Sequence, residues 1–293
     1  MRKYFVTGGT GFVGRALVRA LVARPDTLSV LCLTRGRDNL LQHSKVSYWK
    51  GDIVDVELPK EGVFTDLIHA AGEANDLLQP DQPRYYYTVV EGTRRILEWA
   101  EDRGVYRTLF VSSGAVCKGD TIYCRGKRLS EWLCERYSIQ PKIARVYSLI
   151  GEELPLDGQY ALGRFIGSAL KHGEVRYYLS PSVRSYLHVD DCAQWLLKIL
   201  DEGNPQDIYD VGASRPISVS DLALMVSRTF GVGLREITPE HHPTAEIYLP
   251  DASTTKYRLQ LTETITLEQA LQRIYAHFCY SDLEPSQAVR ELH

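Results

Sequence analysis

Tyr123 and Lys127 stand four residues apart in the run Tyr123-Cys124-Arg125-Gly126-Lys127. On a helix that spacing puts a phenol and an ammonium on one face. The ammonium favours the phenolate and draws the tyrosine pKa down from about 10 toward working pH. Such a pair can hand a proton to a carbonyl oxygen or take one from an alcohol. The accompanying hydride needs a dinucleotide, and the run Thr7-Gly8-Gly9-Thr10-Gly11-Phe12-Val13-Gly14 offers a cradle for one. Gly8, Gly11 and Gly14 let the backbone turn tightly and approach a pyrophosphate. Phe12, Val13 and Gly14 open the following helix, whose unpaired N–H groups favour the anion.

Both features must be held by a frame, and the rest of the chain supplies a regular one. Apolar runs near 3–7, 28–34, 46–50, 66–70, 107–112 and 141–146 read as strands, with helices near 12–23, 84–103 and 124–138 between them. This alternation implies βαβ units. The expected fold is therefore α/β, a Rossmann doubly wound parallel sheet with a smaller C-terminal substrate-binding domain. The dinucleotide-binding domain is expected over 1–150, with a return segment at about 185–215 in which 186–189 and 207–211 read as strands flanking an apolar helix, Cys192 to Leu200. Residues 151–184 and 216–293, broken by prolines, are assigned to the substrate-binding domain.

The second strand ends Leu33-Thr34-Arg35-Gly36-Arg37, without the acid that an NAD-selective site places on the adenosine ribose. Arg35 and Arg37 suit a 2'-phosphate instead. NADPH is the favoured cofactor, with NAD as the alternative.

Taken in order, these residues resemble the extended short-chain dehydrogenase/reductase family, in particular its nucleotide-sugar epimerases, dehydratases and ketoreductases. The resemblance spans nearly the whole chain. It includes Gly51-Asp52-Ile53, His69-Ala70-Ala71-Gly72, Glu91-Gly92-Thr93, Ser112-Ser113-Gly114-Ala115-Val116, Arg145-Val146-Tyr147-Ser148, Arg184-Ser185-Tyr186-Leu187-His188-Val189-Asp190-Asp191 and Tyr209-Asp210-Val211-Gly212. It implies that Asp52, with Ile53 beside it, meets the adenine, that Ala70, Ala71 and Gly72 line the cofactor, and that Lys127 binds the nicotinamide ribose. Ser113 would hydrogen-bond the substrate oxygen that Tyr123 protonates. Ser112 and Ser148 would contact substrate, and Arg184 would hold a substrate diphosphate.

Departures from the family narrow the expected reaction. The family's 4,6-dehydratases carry an Asp-Glu pair where this chain has Gly114 and Ala115, so elimination of water by that route is not expected. Only six residues, Cys117 to Ile122, separate Val116 from Tyr123, which shortens the expected pocket rim. Val89 and Ser148 stand where relatives often have asparagine.

A formal net charge of -3 and pI near 6.3 provide no basic field for nucleic acid, which leaves a small molecule as the expected partner. Six scattered cysteines without ligand spacing fit reduced thiols in the cytoplasm, and no membrane segment is expected. Neighbouring His241 and His242 diverge and lack companions, so no metal is expected. Asp190 and Asp191 are expected to cap the helix that follows them. The resemblance also implies a homodimer built from helices 84–103 and 124–138, with Trp99 and Trp132 contributing.

The leading expectation is an NAD(P)-dependent oxidoreductase acting on a nucleotide-diphosphate sugar, specifically a 4-keto-6-deoxysugar reductase. Its rivals are a 4-epimerase with tightly bound NAD, a reductase of a non-sugar ketone, and a non-catalytic dinucleotide-sensing regulator.

Overall fold

The computed structural model describes residues 1–36, 40–72, 82–156, 160–238 and 245–280, with backbone alone at 82–85 and 280. The elements begin β1 (Arg2–Thr7), α1 (Phe12–Ala23), β2 (Thr27–Thr34), β3 (Val46–Lys50), β4 (Asp66–His69), α2 (Gln82–Asp102), β5 (Arg107–Ser113), a 3-10 turn (Gly114–Cys117), α3 (Ile122–Cys134) and β6 (Lys142–Val146). They continue β7 (Leu149–Ile150), α4 (Ala161–His172), β8 (Glu174–Tyr177), β9 (Val183–Arg184), β10 (Leu187–His188), α5 (Val189–Glu202) and β11 (Ile208–Val211). The last are β12 (Ile217–Ser218), α6 (Val219–Phe230), β13 (Gly233–Glu236), β14 (Ile247–Tyr248), α7 (Ser253–Leu259) and α8 (Leu267–Tyr280).

Two compact units divide the chain. The first comprises Met1–Tyr147, Val189–Ser214 and Pro250–Thr262. Its seven strands run in the order β11-β6-β5-β4-β1-β2-β3, every pair parallel. This is the Rossmann arrangement, and it reverses direction between β1 and β4. In such sheets the crevice at the carboxyl ends of the strands beside the reversal is where ligands bind. Strands buried on both faces are largely apolar along their middles, as the fully buried Phe5, Leu67 and Phe110 illustrate.

At the opposite, amino ends of the strands, buried Asp66 accepts hydrogen bonds from Arg2 Nε at 3.0 Å, Arg107 Nε at 2.6 Å and Thr65 Oγ1 at 2.6 Å. Burial pushes the Asp66 carboxyl up, but these bonds outweigh it and hold the group below its ordinary value. This end of the sheet is fastened by ion pairs.

Several expectations change here. The strand expected at 186–189 does not return to the main sheet: β10 pairs with β7 in a separate two-stranded sheet, whereas β11 does join β6. Residues 250–262, expected in the second domain, pack with the first, where the Trp195 indole N–H donates to Thr262 O at 3.0 Å. Asp190 and Asp191 lie inside the first turn of α5 rather than before it, where their charge favours the positive helix end. Trp99 belongs to the core: it packs tilted against Phe5 and Phe64 and donates to Pro59 O at 2.9 Å, because its face of α2 meets the sheet. Trp132 is exposed, with the Arg136 guanidinium 3.8 Å above its ring. Arg37, His241 and His242 lie outside the described residues.

The second unit comprises Ser148–His188, Arg215–Leu249 and, so far as described, Glu263–His293. Its core gathers Phe165 and Ile166 of α4, Leu222 and Val226 of α6, and Leu271 and Ile274 of α8. All six cysteines are free thiols, and among the described residues no helix is long and apolar enough to cross a membrane.

Candidate active site

The glycine loop leaves β1 through Gly8, whose φ of +71° a side chain would resist. A Cβ there would stand 2.6 Å from Ala70 O, and one on Gly14 would stand 1.9 Å from Gly8 O. The start of α1 is thus pressed onto its own loop. Gly11 is different: an added Cβ would meet only Gly8 O, at 3.3 Å. Gly11 caps α1 with no side-chain hydrogen bond, and the first turn holds no acid. An uncapped, acid-free helix end over a bare backbone suits a pyrophosphate, so the loop fits a dinucleotide.

Two neighbouring strand ends complete this cradle. Thr34 Oγ1, at the end of β2, lies 3.3 Å from Thr10 Oγ1 of the loop and accepts from Gly36 N–H at 3.2 Å. Arg35 follows it and is exposed. Beyond β3, Asp52 Oδ1 accepts from Val54 N–H at 3.2 Å, which shapes the turn, and buried Ile53 packs against Gly92.

The end of β4 is tied to the loop by a buried chain that sequence reading missed. Ala70 N–H donates to Thr7 O at 3.1 Å and Ala71 N–H to Thr7 Oγ1 at 3.2 Å. Thr7 Oγ1 lies 2.6 Å from His69 Nδ1, and His69 Nε2 lies 3.0 Å from Thr93 Oγ1, which itself donates to Val89 O at 2.7 Å. Because the Thr93 proton goes to Val89 O, Nε2 must donate and Nδ1 must accept. Burial, aided by the Lys127 charge, pushes His69 down to about 3, so the ring is neutral. The available signal was polar residues at the ends of apolar runs, at Thr7 and His69.

On α3, Tyr123 is half-buried, and Lys127, one turn later on the same face, is 4% exposed. Lys127 Nζ donates to Val111 O at 3.0 Å, lies 4.9 Å from the centre of the Phe110 ring, and would stand 3.0 Å from a Cβ on Gly72. It therefore adjoins the turn after β4. Burial pushes the Lys127 ammonium down from 10.5 to about 8, against the opposing pull of Glu131.

A stability consequence follows. The unfolded chain binds more protons than the folded one between about pH 8 and 10.5, so the charge weakens the fold below that window and stability rises through it. A shift of this size costs about 3 kcal/mol at neutral pH. Lys127→Met is expected to stabilise the protein by about 1–3 kcal/mol at pH 7, net of the bond lost at Val111. Urea midpoints should show a gain that shrinks toward pH 10; a loss at pH 7 would contradict the buried charge.

The two serines of β5 face opposite ways, as strand neighbours must. Ser113 Oγ accepts from Ala115 N–H at 3.2 Å, which leaves its own proton to donate. Ser112, expected to contact substrate, instead donates to Glu131 Oε1 at 2.5 Å, and Arg145 closes on the same carboxylate at 3.0 and 2.7 Å. This partly buried ion pair joins β6 to α3, and Glu131 is a second residue that sequence reading missed. Gly114 lies under the Tyr147 ring, which a Cβ would meet at 2.5 Å.

Every described cofactor-binding and catalytic candidate falls in the first unit, whereas Ser148 and Arg184 fall in the second. Ser148 O accepts from Leu187 N–H at 3.1 Å. The Arg184 fork donates to Val183 O at 3.0 Å, Glu246 O at 2.9 Å and Glu246 Oε2 at 2.5 Å. Its guanidinium is thus already paired with a carboxylate.

A glycine-cradled dinucleotide fold with a Tyr-Lys pair defines an enzyme of the short-chain dehydrogenase/reductase class. Residues 4–212 match the NAD dependent epimerase/dehydratase family, and the chain belongs to it. Among curated relatives, UDP-glucuronic acid decarboxylase 2 of Arabidopsis thaliana is 26% identical over 302 residues, covering 93% of this chain and 67% of the relative. Among solved structures, DesIV, a dTDP-glucose 4,6-dehydratase from Streptomyces venezuelae with NAD and TYD bound, superposes with a TM-score of 0.81 at 21% identity, covering 94% of this chain and 97% of the other. RMD from Pseudomonas aeruginosa, complexed with NADPH, gives 0.76 at 20% identity, covering 95% and 99%. These two likenesses show the fold.

Proposed function

We propose that this protein is an NADPH-dependent reductase of a nucleotide-diphosphate 4-keto-6-deoxysugar, a reaction of deoxysugar biosynthesis. The observation that carries the reading is the buried Lys127 ammonium, beside Gly72 and on the Tyr123 face of α3. A bound nicotinamide dinucleotide supplies the hydride to the carbonyl carbon. Tyr123 gives its phenolic proton to the carbonyl oxygen, and Ser113 donates a hydrogen bond to that oxygen. Lys127 holds the nicotinamide ribose and keeps the tyrosine acidic; Gly8, Gly11 and Gly14 with the first turn of α1 hold the pyrophosphate. Asp52 and Ile53 bind the adenine, and Ala70, Ala71 and Gly72 form the wall opposite.

The Tyr147 ring over Gly114 argues against dehydration, because an acidic side chain at 114 would need the space that the ring occupies. Arg184 is assigned to the substrate diphosphate, which would have to displace the Glu246 carboxylate, and Ser148 to the sugar. We place the enzyme in the cytoplasm as a homodimer formed through α2 and α3, with the exposed Trp132 at the contact.

The second reading, a nucleotide-sugar 4-epimerase holding NAD, draws on the name of the matched family. One assay separates the two: purified protein is given NADPH and a panel of nucleotide-diphosphate 4-ketosugars, with NADPH loss read by absorbance. Stoichiometric oxidation is expected. Protein that arrives with unexchangeable NAD, interconverts sugar epimers and consumes no NADPH would establish the epimerase instead.

A further inference from the structure

We infer that Lys50 is a specificity-determining residue that binds the adenosine 2'-phosphate together with Arg35. The inference rests on the NADPH reading above and deepens it. In the parallel pair of β2 and β3, Lys50 is the register partner of Thr34, so both strands end side by side. The ends are locked there, since Gly51 N–H donates to Thr34 O at 2.8 Å. Immediately after Thr34 come Arg35 and Gly36, and the exposed Lys50 side chain lies across that turn. A Cβ on Gly36 would stand 3.2 Å from Lys50 Cε and 3.7 Å from Nζ. Gly36 has φ +94°, so its left-handed turn and its missing side chain both leave the lysine room to cross.

The same turn adjoins the phosphate cradle through the Thr10 and Thr34 hydroxyls, 3.3 Å apart. The Lys50 ammonium, at the end of β3, thus lies over the turn that Arg35 opens at the end of β2, beside the loop assigned to the pyrophosphate. The anion that suits this pair is a monoester phosphate, which carries close to two negative charges and accepts both a planar fork and a point charge. A bare ribose hydroxyl uses neither. Lys45, the other lysine nearby in sequence, is engaged elsewhere, since its ammonium caps α1 through Val22 O and Arg24 O, both at 3.2 Å.

The test is calorimetric titration of the full chain with adenosine 2',5'-bisphosphate and with 5'-AMP, probes that differ only in the 2'-phosphate. Lys50→Ala should weaken the bisphosphate about tenfold and leave 5'-AMP unchanged; Lys50→Arg should restore most of the loss. Lys60→Ala, an exposed lysine paired with Glu57, should change neither. Wild-type preference for the bisphosphate that survives Lys50→Ala would overturn the role of Lys50 and leave the NADPH reading standing. No wild-type preference at all would overturn both. Equal weakening of both probes would make Lys50 a support of the fold and overturn its role in specificity.

Discussion

Tyr123→Phe is expected to lower turnover roughly 10²- to 10⁴-fold, the usual worth of one positioned proton transfer, while dinucleotide affinity stays at the wild-type value. The substitution deletes one oxygen and keeps the ring, and the buried Lys127 keeps its bond to Val111 O. The neutral His69 chain that ties Thr7 to Thr93 is likewise untouched. Fluorescence titration with NADPH and steady-state turnover on the same preparation separate the two quantities. A fall in kcat with unchanged cofactor binding is the signature of a group needed in the transition state. Turnover that survives the substitution would remove Tyr123 from the mechanism, and weakened cofactor binding would make it a wall of the cradle instead.

Gly14→Ala should act through shape. The new methyl would stand 1.9 Å from Gly8 O and 2.7 Å from Gly9 Cα, and both neighbours are backbone that cannot rotate aside. Either the loop or the start of α1 must shift, and either shift moves the N–H groups assigned above to the pyrophosphate. Overpacking of this kind costs at least about 1–3 kcal/mol of stability, and a helix end misplaced by an ångström loses its directed hydrogen bonds. Dinucleotide affinity is expected to fall by about two orders of magnitude, with losses of that kind spread over several charge-assisted bonds. Gly11→Ala is the internal contrast: its methyl meets one atom at 3.3 Å, so the fold should hold. Calorimetric titration beside a urea midpoint reads both effects. Wild-type affinity in Gly14→Ala would mean that the loop and helix are not pressed together as described.

The sequence alone determined whatever depends on neighbours along the chain. The inner strands of the main sheet read as apolar runs because they are buried on both faces. The helices over 12–23 and 84–103 read from their amphipathic spacing, observed at Phe12–Ala23 and Gln82–Asp102. The glycine run and the Tyr123-Lys127 spacing are local chemistry, legible for the same reason. Tertiary structure decided everything that depends on which face meets which partner. Adjacent serines on β5 look equivalent in a string, yet strand alternation sends Ser112 to Glu131 and Ser113 to the turn after it. Trp99 reads as a surface tryptophan until its face of α2 is seen against Phe5. Residues 250–262 carry no signal that they pack with the first unit, because their partners, such as Trp195, lie far off in the chain. Lys50 is one more charged residue until parallel pairing lays β3 beside β2 and carries its ammonium over Gly36. Local patterns select elements, whereas contacts between distant residues arise only once the sheet has chosen its strand order, and that choice assembles the site.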